Sequence, residues 1–113
     1  MASHTIKQLG QLRPANTTAA SAYSPASSTQ TIIHNVIVCN VTGSSVKYRL
    51  FVDSNGTTYD ETTAISWDID LAANSTDMVE VKICMDDSTG NLAVRTDTAN
   101  AINFTVNGEE FVA

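Results

Sequence analysis

From Gln30 onward the chain alternates apolar and polar residues in short runs separated by turn-forming clusters. Val46, Tyr48, Leu50 and Val52 alternate with Lys47, Arg49, Phe51 and Asp53, the period of two that places one set of side chains inward. Ile65, Trp67, Ile69 and Leu71 alternate with Ser66, Asp68 and Asp70, the cleanest such run in the chain. Val79, Val81, Ile83 and Met85 alternate with Glu80, Lys82 and Cys84, and Ile102, Phe104 and Val106 alternate with Asn103, Thr105 and Asn107. Residues 31–41 are dominated by β-branched side chains, and 92–96 form a further short strand. Turns are expected at 40–45 around Gly43, at Asp53-Ser54-Asn55-Gly56 with a longer loop to residue 63, at 72–76 and at 86–91.

No window has the three-to-four-residue apolar period of a long helix. Six to eight short strands therefore predict an all-β, two-layer antiparallel β-sandwich, immunoglobulin-like or jelly-roll. Turning each apolar set inward makes Val38, Leu50, Trp67, Ile69, Val81 and Phe104 the expected core.

The beginning of the chain has a different character. Ile6, Leu9 and Leu12 precede Arg13-Pro14 and a Thr/Ala/Ser-rich stretch, and Pro14 and Pro25 forbid a central strand at those points. Residues 1–28 read as an extended N-terminal arm with a short strand, and residues 29–113 as the sandwich domain. The arm is too polar to fold alone, so it lies across its own domain or reaches a neighbour.

At 113 residues the chain fits one domain with a real core, and a hydrophobic content of 42% supplies it. A net charge of −6, with the six Lys and Arg scattered along the sequence, excludes a nucleic-acid surface, which needs clustered cations. Residues 1–30 hold no continuous apolar stretch, and His34 and Asn35 interrupt 31–41, so neither a secretion signal nor a membrane span is expected. The chain is therefore expected to be made and kept in a cytoplasm, and with that comes a pair of reduced, buried thiols at Cys39 and Cys84 rather than a disulfide. The order Cys39, Trp67, Cys84 does not have immunoglobulin spacing, because the Trp falls too far after the first Cys and too near the second.

Catalytic chemistry is not legible. His4 and His34 have no partner at metal-ligand spacing, and no glycine-rich phosphate loop or nucleophile elbow occurs. Asp53-Ser54-Asn55-Gly56 begins like a calcium loop but lacks the rest of the ligand order, and Asp86-Asp87 with Asn91 reads as a solvated turn. No catalytic, cofactor-binding or metal residue is expected, no cofactor is implied, and the chain is read as a binding protein rather than an enzyme.

The opening Ile6-Lys7-Gln8-Leu9-Gly10-Gln11-Leu12-Arg13-Pro14-Ala15-Asn16-Thr17 resembles the start of small β-sandwich proteins encoded among the structural genes of tailed phages. The likeness continues through Tyr23, through Asn35-Val36-Ile37-Val38-Cys39-Asn40 before a Ser-rich turn, and through residues 46–52. It extends to 65–74 with its Leu71-Ala72-Ala73-Asn74, and to 101–110 with the closing Gly108-Glu109. It covers most of the chain apart from 55–63 and 86–91. Ser24-Pro25-Ala26-Ser27 departs from the Val-Pro-Ala-Gly usual in that family, which weakens the tight turn expected there.

The resemblance implies a virion component: a capsid decoration or cement protein bridging neighbouring subunits, or a neck, tail or fibre accessory. The implied partners are the major capsid protein or a tail or neck protein, together with copies of the chain itself, a trimer being favoured. The resemblance also tilts the arm toward a neighbour, which makes Ile6, Leu9, Leu12 and Arg13 the candidate interface residues. A receptor- or glycan-binding module is the alternative, with Tyr59 as its loop aromatic because Trp67 and Tyr48 read as inward.

Overall fold

A computed structural model describes residues 3–86 and 88–113. Eight strands follow in order: β1 (Ser3–Leu12), β2 (Ala20–Tyr23), β3 (Thr29–Asn40), β4 (Val46–Asp53), β5 (Ala64–Leu71), β6 (Thr76–Met85), β7 (Asn91–Thr96) and β8 (Ile102–Val112). They form two four-stranded sheets, ordered β1-β8-β3-β6 and β2-β7-β4-β5. Every pairing is antiparallel. The chain changes sheet at every connection except the β4–β5 hairpin, so of the two expected sandwiches this is the jelly roll.

The core lies between the sheets. Val36 and Val38 of β3 and Phe104 and Val106 of β8 face Leu50 of β4 and Leu92 and Val94 of β7, all fully buried. Tyr48 meets Phe104 edge-on, with ring centroids 6.2 Å apart. Val81 is partly buried against this cluster. Amide side chains close both ends of the sandwich. Buried Asn40 donates to the carbonyls of Ser44 and Leu71 and accepts from the Thr42 amide at 2.9 Å, which fixes two neighbouring turns. At the other end the half of the supposed calcium loop that begins at Asp53 is a capped turn. The Asp53 carboxylate accepts from the amides of Asn55 and Thr58, while Asn91 donates to the Gly56 carbonyl at 2.7 Å. Asp87, the other acid of the second cation reading, lies outside the described residues.

Two expectations need correcting. Trp67 and Ile69 are not core residues: they are 39% and 40% exposed. The alternation of β5 is broken by two register shifts against β4, so that Trp67 and Asp68 together stand opposite Arg49. Asp68 takes up the extra residue in the left-handed region, at φ 50°, a conformation Asp tolerates. Trp67 thereby turns to the outer face and packs edge-on against Phe51 at 6.2 Å. Phe51, which read as part of the outward set, is buried beneath Trp67 and the loop residue Tyr59.

The second correction concerns the first segment. Its strand is ten residues long and pairs along its length with β8, while β2 pairs with β7. Residues 3–23 thus give each sheet an edge strand rather than an arm. A register shift between Gln8 and Gly10 makes Leu9 an extra residue, and Leu9 and Leu12 pack against the protein's own core. A matching shift falls at His34 in β3, on the other side of Gly108.

Candidate functional site

Of the four residues expected at an interface, the structure leaves two facing outward. Ile6 is 76% exposed on β1, and Arg13 is exposed just beyond the strand, with no ion pair among the described residues. Leu9 and Leu12 are occupied internally.

Strand pairing brings together side chains far apart in sequence. On the outer face of the first sheet, His4 of β1 and His34 of β3 each donate from Nε2 to a different oxygen of Glu109 on β8, His4 at 2.5 Å. His4 also stacks on Phe111, with centroids 4.3 Å apart. One carboxylate therefore ties the edge strand β1 to the two strands inward of it. The two histidines hold its pKa below the usual carboxylate range. Beside it, Glu110 accepts from Lys7 at 2.7 Å and from the Tyr23 hydroxyl at 2.5 Å, and both contacts lower its pKa. Burial and the same carboxylate push the Tyr23 phenol up to about 12. These are fastenings for β1 and β2, and nothing in them places a nucleophile beside a base.

The exposed apolar side chains are unevenly spread. Ile65, Trp67 and Ile69 of β5 and Met78 of β6 make up four of the seven large exposed hydrophobics among the described residues. β5 and β6 end their sheets on one flank, opposite the flank where β1 meets β2 and the Gly10 backbone lies against the Ala22 carbonyl. Charge divides the same way. No Asp or Glu occurs before Asp53, so all twelve acids fall in the later part, while Lys7, Arg13, Lys47 and Arg49 fall in the earlier. The β1/β2 flank carries His4, Lys7 and Arg13 and no acid of its own. The β5/β6 flank carries Asp68, Asp70, Asp77 and Glu80 against Lys82. Arg49 takes Asp68 bidentately at 2.6 and 3.1 Å, and Lys47 takes Asp70 at 2.9 Å. Tyr48 donates to Asp77 at 3.0 Å, and Glu80 has no ion pair among the described residues. Counting basic residues alone makes them look scattered; the position of the first acid is the signal that reveals the asymmetry.

A groove of about 490 Å³ opens at the end where β3 begins, lined by Gln30, Ile32, Cys84, Asp86 and Phe111 among others. Cys84 is exposed and Cys39 half-buried, and neither is in a disulfide, so the expected burial of both thiols does not hold. Both strands carry them on the outer face, where Ile32 opposes Cys84 and Thr76 opposes Cys39.

Over 98% of its length the chain is similar in fold to part of a solved structure of the T13 particle of infectious bursal disease virus, with a TM-score of 0.56 at 10% identity. A VP2 subviral particle of the same virus gives 0.49 at 12% identity, and T=1 particles derived from it give 0.49 at 10%, each over 98% of this chain. The chain spans 30 to 32% of the length of these viral chains. At such identities the likeness is one of fold. No protein-family model matches the sequence, and no curated protein matches it either.

Proposed function

We propose that the protein is a structural component of a tailed-phage virion: a capsid decoration or cement protein that bridges neighbouring subunits and acts by binding. The observation that carries this reading is the eight-stranded jelly roll over nearly the whole chain, a fold found in the viral particle structure at a TM-score of 0.56. The resemblance of the opening residues to phage structural proteins agrees with it. Its partner is the major capsid protein, and it works as a homo-oligomer, a trimer, made in the host cytoplasm and resident on the particle. A cement protein needs only modest contacts per copy, because they repeat over the shell.

The test is made on purified particles. Mass spectrometry is expected to find the protein at a fixed number of copies per capsid, and particles lacking it to release their genome at a lower temperature. Absence from purified particles overturns the reading. A position on the neck, tail or fibre is the second reading, with glycan recognition as its chemistry. The outward turn of Trp67 favours it over the inward placement expected from the sequence, and attachment restricted to tails in particle images would select it.

A further inference from the structure

We propose that copies of the chain associate head to tail, the β1/β2 flank of one docking on the β5/β6 flank of the next. The inference rests on the reading as an assembly protein. Four observations carry it.

The first is apolar exposure at both flanks: Ile6 on one, and Ile65, Ile69 and Met78 on the other. The second is charge. Among the described residues Glu109 and Glu110 take His4 and Lys7, which leaves Arg13 unpaired on the first flank. On the second, Arg49 and Lys47 take Asp68 and Asp70 and leave Asp77 and Glu80 against Lys82, a residual charge of opposite sign. Two copies placed flank to like flank would set acid against acid or cation against cation, so the charges favour the unlike pairing.

The third is strand direction. In a four-stranded antiparallel sheet the two edge strands run oppositely, so β1 of a copy set beside β6 of another, in the same orientation, continues the antiparallel order. The fourth is size. β1 and β6 are each ten residues long, about 33 Å at the usual strand rise. The molecule is 48 × 25 × 21 Å, so a flank offers on the order of 600 Å² per copy, enough for a specific interface. Such a contact uses two different patches, and it closes into a ring or runs on as a filament according to the rotation between copies.

The experiment uses the full chain in two forms. The double variant I6S/R13S removes the first flank's contacts, and I65S/M78S removes the second's. All four positions are exposed, so circular dichroism and melting are expected to stay native. Light scattering is expected to show each variant as a monomer, with self-association weakened roughly tenfold or more. An equimolar mixture is expected to form a dimer of one copy of each and nothing larger, since each variant retains the flank that the other lacks.

A contact between identical patches would give no such rescue, so a mixture that stays monomeric overturns the proposal. It is overturned equally by a wild-type chain that is monomeric, or by either variant keeping the wild-type mass. Attachment to particles is measured separately on the same variants. A chain that binds capsids without this contact refutes the head-to-tail mode and leaves the virion role standing, whereas a head-to-tail oligomer absent from particles refutes that role.

Discussion

The Arg49 guanidinium lies over the Trp67 ring, its Cζ 3.5 Å from the centroid, on the outer surface of the β4–β5 hairpin. The same guanidinium holds Asp68, so one side chain fixes both residues of the irregularity in β5. Trp67→Ala is therefore expected to cost about 1–2 kcal/mol, the loss of a cation–π contact and of half-covered surface. Phe104→Ala, in the middle of the core, is expected to cost about 3–5 kcal/mol. Urea unfolding of the two variants checks the difference. Folded-state tryptophan emission should already be partly red-shifted, and a buried-type spectrum would contradict the outward placement.

Gly108 is a position where a side chain has no room. A methyl there would stand 2.1 Å from the Ile32 carbonyl oxygen, 2.9 Å from a Leu9 methyl and 3.0 Å from the Ile33 Cα. Two of these are backbone atoms of the adjacent strand and cannot swing aside. Gly108→Ala is expected to destabilise by about 3 kcal/mol or to prevent folding. Gly43→Ala, with nothing within 4 Å, is the control and should leave the melting temperature nearly unchanged.

Most strands were legible because β-branched runs and alternation reflect the same pleat that buries one face. Val38 and Phe104 lie in regular stretches where alternation maps directly onto burial, whereas beside Leu50 the alternation fails, because Phe51 is buried as well. The errors fall where the register slips. In β1 the apolar residues at 6, 9 and 12 follow a spacing of three that suits no regular strand, and the extra residue at Leu9 accounts for it. In β5 the alternation is clean, yet Asp68 at positive φ turns Trp67 outward, and an Asp in a strand gives no warning of that. The meeting of His4 and His34 on Glu109 depends on pairings across 75 and 105 residues, which no local pattern encodes.

Acid should loosen the fastening of β1. Glu109 and Glu110 both have pKa values lowered by their partners. Such a carboxylate stabilises the fold above its unfolded value, about 4.3, and loses that contribution as pH falls through the lower folded value. Melting temperature is expected to fall on moving from pH 5 to pH 3. A Glu109→Gln/Glu110→Gln variant, less stable at pH 7, should show a shallower fall over that range. Parallel curves for the two proteins would mean that these carboxylates do not carry the effect.

The two cysteines should differ in rate. Cys84 is exposed and Cys39 half-buried, and both are free thiols. Titration with a coloured thiol reagent is expected to give two groups per chain, one reacting at once and the other slowly until denaturant is added. Cys84→Ser should remove the fast phase alone. Finding no thiols in the unreduced, denatured protein would contradict the structure.

The sheet order has a consequence for how the chain reaches its final form. β8 stands between β1 and β3, so two strands near the start of the chain depend for their ladders on residues 102–112. While the ribosome is still adding those residues, β1 has no neighbour in its sheet, and β3 has β6 on one side and an unfilled place on the other. The closing step joins segments about a hundred residues apart, against a loop-closure entropy that local contacts do not offset. Folding of this sheet therefore waits for residues 102–112, and a nascent or truncated form that stops before Ile102 leaves β1 and one side of β3 open to any other copy it meets.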